Sequence, residues 1–245
     1  MIVDVHCHLT APEFEKDLDN VVKRAKDIVI VTSGVNIVDN KKVLELCKRY
    51  KNVRAGLGLY PIDALELDYD ELEESLEFIK KNKSKIVYVG EVGLDYKESD
   101  NFKKQKENFF RIISFVEKIK KPIVIHSRKA EEDCIDMLKS SSLKNIMFHS
   151  FTGKIKLVKK ISDNGWGMSV PTSVVRSEQF QKLVSEIDLS QLFTETDAPF
   201  MSPFSGKRNE PCFVVESLKK ISEIKKIEIE ETEKILHVNF QKMFM

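Results

Sequence analysis

Short runs of β-branched and apolar residues recur eight times along the 245-residue chain, separated by longer polar stretches whose apolar residues return at helical spacing. The runs are IVDVH at 2–6, IVIVTSG at 28–34, VRAGLGL at 53–59, IVYVGEVG at 86–93, PIVIH at 122–126, NIMFHS at 145–150, GWGMSV at 165–170 and LFTETD at 192–197. Helical segments between them include NKKVLELCKRY (40–50), YDELEESLEFIKKN (69–82), NFKKQKENFFRIISFVEKIKK (101–121) and SEQFQKLVSEI (177–187). Strands this apolar must be covered on both faces, which requires a parallel sheet with helices packed against it. Eight such units in about 250 residues match a (β/α)8 barrel. The alternative, an open doubly wound sheet, normally carries a glycine-rich turn after its first strand, and HCHLTAP stands in that place. No linker, repeat or low-complexity tract interrupts the pattern, so residues 1–245 read as one domain. The stretch at 229–244 reads as a closing helix packed on the barrel wall.

Charge and cysteine usage exclude several classes. Forty Lys and Arg face 39 Asp and Glu, so no broad basic coat for nucleic acid is expected, although a site that grips a few phosphates is compatible with that balance. No apolar run is long enough to cross a bilayer, and MIVDVH lacks the basic segment and long apolar core of a leader. Cys7, Cys47, Cys134 and Cys212 are scattered without a C-x-x-C pair, as expected of reduced thiols. Together these features predict a cytoplasmic protein without a membrane partner or an obligate protein partner.

The chemistry gathers at one end of the strands. His6 and His8 close the first run; on an extended strand their side chains share a side, with Val5 and Cys7 on the other. Glu91 closes the fourth run, His126 the fifth, His149 lies in the sixth and Asp197 closes the eighth. In a (β/α)8 barrel the carboxyl ends of the strands ring one mouth, where active sites lie. Core packing gives histidine no reason to prefer that end, yet four of the five histidines are there. Four imidazoles and two carboxylates exceed what one zinc takes and suit two divalent ions sharing a carboxylate. The expected assignment places His6, His8 and Asp197 on one ion, His126 and His149 on the second, and Glu91 between them. Mixed nitrogen and oxygen ligation admits Zn, Mn or Mg.

Several segments in this order resemble the TatD-type metal-dependent deoxyribonucleases of the amidohydrolase-like TIM barrels. They are DVHCHLT at 4–10, GLGLYP at 56–61, VGEVGLDY at 89–96, Gln105 and Phe109 ahead of KPIVIHSR at 121–128, FHSFTG at 148–153, ETDAPF at 195–200, KRNEP at 207–211 and the closing VNFQKMF. The resemblance implies a (β/α)8 fold, a divalent-metal nuclease trimming single-stranded DNA ends, and metal positions at His6, His8, Glu91, His126, His149 and Asp197. It also implies that Asp197 accepts a proton from the attacking water. One departure stands out: Tyr60 occupies a position where the family commonly has a histidine facing substrate phosphate. A tyrosine can donate a hydrogen bond there but carries no positive charge. It serves either phosphate binding or packing across the mouth.

Further expectations concern the surroundings. Asp95, Glu195 and Arg128 are candidates to hold the outer nitrogens of the ligand histidines, or to form ion pairs at the rim. Arg128 and Arg208 are candidate phosphate clamps. Tyr96, Phe151 and Phe200 are placed where a base could stack. Ser127 and Ser150 follow rim histidines, but strand neighbours face opposite ways and no G-x-S-x-G turn is present, so no serine nucleophile is expected.

Two other functions fit the same skeleton. A C–N hydrolase acting on cyclic amides or nucleobases is the nearest. Many such sites bridge their ions with a carboxylated lysine at the end of the fourth strand, where this chain has Glu91, while Lys85 lies at the opposite end. A non-catalytic scaffold for metal or nucleic acid is the second, and the complete set of ligand residues argues against it.

Overall fold

A computed structural model describes all 245 residues. Eight parallel strands run in sequence order: β1 (Val3–Cys7), β2 (Val29–Gly34), β3 (Val53–Leu57), β4 (Ile86–Asp95), β5 (Ile123–Arg128), β6 (Ile146–Phe148), β7 (Gly167–Val170) and β8 (Leu192–Thr194). Between successive strands lie α1 (Leu18–Arg24), α2 (Ile37–Arg49), α3 (Tyr69–Lys81), α4 (Phe102–Ile119), α5 (Glu131–Lys139), α6 (Ile155–Asp163) and α7 (Glu178–Glu186). Two helices, α8 (Val214–Lys225) and α9 (Ile229–Phe244), follow β8. This is the (β/α)8 barrel that the eightfold alternation predicts. No helix is long and apolar enough to cross a membrane.

The largest apolar cluster fills the layer between strands and helices, including Leu57, Val92, Ile125 and Phe148 from the sheet and Leu72, Phe109 and Leu183 from the helices. A second cluster gathers Val5, Val31, Tyr88, Val124, Met147 and Phe193 from six strands with Phe240 and Phe244 of α9. The last helix therefore does more than lie on the wall: its terminal ring sits 5.7 Å from those of both Tyr88 and Phe193 and closes the amino end of the barrel.

Local departures from the expected boundaries follow from hydrogen bonding. β4 runs to Asp95 because Gly93, Leu94 and Asp95 stay in register with His126, Ser127 and Arg128 of β5. β8 stops at Thr194, short of Asp197, and Asp197 adopts φ 55°, a left-handed conformation that aspartate tolerates better than most residues. Val5 and Cys7 do not share a face as strict alternation predicts. Val5 packs with Val31 and Tyr88, whereas Cys7 packs with Phe14, Val21 and Ile30. The β1–β2 register shifts between Asp4 and Cys7, and that irregularity breaks the alternation.

The same irregularity lies at the seam where the barrel closes. Side chains carry much of the β1–β8 junction: Thr194 Oγ1 donates to the Val3 carbonyl at 2.7 Å, and buried Asp4 accepts from the Thr196 amide at 2.9 Å and the Thr196 hydroxyl at 2.6 Å. Backbone bonds from Asp197 to the His6 carbonyl (2.9 Å) and from His8 to the Ala198 carbonyl (2.8 Å) complete it. Three of the expected ligands are thus fixed to one another by the closure of the barrel itself.

Candidate metal centre

The six expected ligands converge at the carboxyl ends of β1, β4, β5, β6 and β8; five of them line a cavity of about 1160 Å³, and His6 is fully buried behind them. Glu91 is at their centre. Its Oε2 lies 3.2 Å from His6 Nε2, 3.9 Å from His8 Nε2 and 3.0 Å from His149 Nε2. Asp197 Oδ1 lies 3.7 Å from His6 Nε2 and 3.5 Å from His8 Nε2. The His6 and His8 Nε2 atoms are 3.2 Å apart, and His126 Nδ1 is 3.2 Å from His149 Nε2. Three groups of potential ligand atoms result: His6–His8–Asp197 and Glu91–His126–His149, which match the expected assignment, and His6–His149–Glu195, which does not. Gly58 permits this approach, because a β-carbon there would fall 2.4 Å from the Glu91 carbonyl oxygen.

Hydrogen bonds on the outer nitrogens fix which ring atoms face inward. Tyr88 donates its only proton to the Val5 carbonyl at 3.0 Å, so Ser33 donates to Tyr88 at 2.6 Å and accepts from His6 Nδ1 at 3.1 Å. His8 Nδ1 lies 3.3 Å from the Ser33 carbonyl, which can only accept. In the neutral rings that a metal would bind, both Nε2 atoms therefore present lone pairs to the same small space. Asp95 Oδ2 accepts from His126 Nε2 at 2.8 Å, leaving Nδ1 of that ring to face His149. Imidazole lone pairs and carboxylates crowded this closely repel one another unless a cation or protons intervene. The donor set fits divalent metal.

The electrostatics reflect that crowding. Burial and the neighbouring His149 lower the His6 pKa to about 4. For His8, burial acts in the same direction but is outweighed by the Asp197 hydrogen bond and the Glu91 charge, and the pKa rises to about 9. Burial also opposes ionisation of Glu91 and Asp197, yet the surrounding imidazoles outweigh it and hold both carboxyls below their usual range, Glu91 furthest.

Of the expected supporting residues, Asp95 lies against the outer nitrogen of His126. Burial raises its pKa, but bonds to His126 and Tyr60 more than compensate and bring it to about 2. Glu195 is fully buried, accepting from the Ser150 amide at 2.8 Å and from Ser169 Oγ at 2.6 Å. Its Oε2 is 3.9 Å from His149 Nδ1, beyond hydrogen-bond reach, and that nitrogen has no other partner. Desolvation and the Asp197 charge push the Glu195 pKa well up.

The candidate substrate residues separate. Arg128 lines the cavity, where it pairs with Glu98 at 3.0 Å; it touches none of the ligand histidines. Arg208 does not line it: its guanidinium makes a two-pronged bond to Asp17 (2.8 and 2.7 Å) and a further bond to Glu210 (2.9 Å). A guanidinium already committed to two carboxylates is a structural tie between the β8–α8 loop and the start of α1, not a phosphate clamp. Tyr96 bonds Asp133 and packs on Phe102, and Phe151 is buried in the core, so neither can stack a base; Phe200 alone of the three lines the cavity.

Tyr60 lines the cavity, packs at the mouth and also holds an acidic neighbour. Its hydroxyl donates to Asp95 Oδ2 at 2.7 Å, the same oxygen that holds His126, and its ring lies edge-on to His126 with centroids 5.0 Å apart. Burial and the Asp95 bond push its pKa up, so it stays a neutral donor. Tyr60→Phe is expected to weaken metal affinity at the His126 side roughly 10-fold, as loss of an outer hydrogen bond does. Calorimetric titration of the metal-free variant checks this, with Tyr60→His as a comparison.

Sequence reasoning missed Ser33, Tyr88 and Asp4. Asp4 left a readable signal, a carboxylate inside a valine-rich strand; its buried side chain is raised to about 7 by desolvation, partly offset by Thr196. Lys85 is exposed at the amino end of β4 and bonds Asn82, far from any bridging role.

The family model described as TatD related DNase matches residues 3–245. A metal-dependent hydrolase of Methanocaldococcus jannaschii is 39% identical over 244 residues, covering 99% of this chain and 96% of that protein. The human deoxyribonuclease TATDN3 is 30% identical over 258 residues, covering 99% and 94%. Among solved structures, the TatD homologue YJJV of Escherichia coli superposes with a TM-score of 0.92 at 24% identity, covering 99% of this chain and 97% of that one.

Proposed function

Because the chain belongs to the TatD-related DNase family of metal-dependent hydrolases, we propose that it hydrolyses DNA phosphodiester bonds at single-stranded ends with two divalent ions at the barrel mouth. The observation that carries this reading is the convergence of inward-facing imidazole nitrogens on Glu91 and Asp197. His6, His8 and Asp197 would hold one ion, His126 and His149 the other, with Glu91 shared. Such ions supply positive charge that makes hydroxide available near neutral pH and offsets the charge of the attacked phosphate.

The chain's own residues do the rest. Asp197, which lines the cavity and is held ionised by the surrounding imidazoles, accepts the proton released as water attacks phosphorus. Ser33 and Asp95 keep the His6, His8 and His126 rings from turning, so the site is ordered before substrate arrives. Lys42 and Arg128 are the cations lining the cavity; Lys42 is available to flanking phosphates, and Arg128 would exchange Glu98 for one. Four cysteines, none in a disulfide, accord with a reducing compartment such as the cytoplasm.

Digestion of 5′- and 3′-end-labelled single- and double-stranded DNA in Mg, Mn or Zn tests the proposal. Stepwise shortening of single strands from one end, absent with EDTA and in Asp197→Asn, is expected. A metal-loaded protein that leaves DNA intact under every metal would refute the nuclease reading and favour C–N hydrolysis.

A further inference from the structure

Phe200 is 56% exposed although the loop that carries it is tightly held. Its amide donates to the Asp197 carbonyl at 2.9 Å, and its carbonyl accepts from Asn209 Nδ2 at 2.6 Å. Asn209 is fully buried and also donates to the Thr196 carbonyl at 2.7 Å, so one side chain braces both ends of the Asp197 turn. On either side of Phe200, the chain turns apolar groups inward: Ala198 is buried and Met201 packs on the core. The ring therefore stands in the cavity because the backbone is fixed there, not because the loop is slack.

The ring's position defines what it can do. Its centroid is 6.4 Å from that of His8 with the ring planes 61° apart, and the ring, more than half exposed, offers an apolar face where it lines the cavity. No hydrogen-bonding group belongs to that face, so it suits a flat partner recognised by stacking alone. Within the nuclease reading, on which this inference rests, we propose that Phe200 is the seat for the nucleobase adjacent to the scissile phosphate. A base stacked on Phe200 places its own phosphodiester over the ligand cluster, and any of the four bases serves, since each has a π-face. A base inside a duplex must first unpair and unstack to reach the ring, which makes single-stranded ends the better substrates.

The test pairs three proteins with two substrates. Wild type, Phe200→Ala and Phe200→Tyr are assayed in Mn on a labelled single-stranded oligonucleotide and on the same oligonucleotide carrying an abasic site at the terminal nucleotide. Loss of one stacked base predicts that Phe200→Ala lowers kcat/KM roughly 5- to 150-fold on the normal strand, mainly through KM. The abasic strand should be cleaved equally by wild type and Phe200→Ala, and Phe200→Tyr should restore most of the loss on the normal strand. Circular dichroism and melting confirm that the variant is folded, as an exposed ring requires. If wild type cleaves both strands and Phe200→Ala changes them equally or not at all, the base seat is wrong while the nuclease reading stands. If metal-loaded wild type cleaves neither, the nuclease reading fails and the seat falls with it.

Discussion

Glu91→Gln is expected to lower DNA cleavage by about three orders of magnitude while the barrel survives. The substitution keeps size and shape but removes the charge that faces three imidazoles at once, at 3.2, 3.9 and 3.0 Å from His6, His8 and His149. An amide also turns one of the two oxygens into a donor, which cannot serve as a ligand. Glu91 is held by its position on β4 and by the backbone approach at Gly58, neither of which needs its carboxylate. Metal analysis should show bound metal falling below two equivalents, with a circular dichroism spectrum like that of wild type. Near-normal turnover by Glu91→Gln would mean that the ions are not joined through this carboxylate.

Removal of metal is expected to abolish cleavage and to lower the melting temperature by roughly 5–15 °C. The direction follows from linkage: ions that bind the folded cluster and not the unfolded chain stabilise the fold by an amount that grows with the logarithm of free ion concentration relative to Kd. The structural reason is visible in the ligand geometry. Without cations, His6 and His8 present nitrogens 3.2 Å apart, and Glu91 and Asp197 are buried beside them. Differential scanning calorimetry before and after chelation checks the shift, and restoration by Mn or Zn shows that the loss is reversible.

Much of this site is legible in the sequence because a parallel barrel converts position along the chain into position in space. Each ligand lies at or just beyond the carboxyl end of an apolar run, so the mouth could be assembled by reading where runs stop. That logic carries His6, His8, Glu91, His126, His149 and Asp197, and it carries Asp95 because β4 simply continues four residues past Glu91. It fails for groups whose partners are set by three-dimensional closure. Tyr88 looks like any strand aromatic, yet its hydroxyl links Ser33 to the Val5 carbonyl across the barrel interior. Arg208 beside a conspicuous motif suits phosphate or carboxylate equally well, and its partner Asp17 lies 191 residues away. The strand-end rule also mistakes the turn at Asp197 for strand, since the Asp4–Thr196 bonds that redirect the chain are visible only once β1 and β8 meet.

Tyr60 shows how one departure can be absorbed. Where a histidine would bring charge toward substrate, the tyrosine turns its hydroxyl to Asp95 and supports His126 from the outside. Under the proposed nuclease reading, charge toward DNA would come from the ions and from Lys42 and Arg128 on the cavity wall.

The most direct measurement is a return titration. Chelator-stripped protein is supplied with Mn in fractions of an equivalent while cleavage of an end-labelled single-stranded oligonucleotide is followed. Activity that is absent at the start and reaches its plateau near two equivalents is the predicted result. Full cleavage by the stripped protein, or a plateau at a single equivalent, would contradict the two-ion centre built around Glu91.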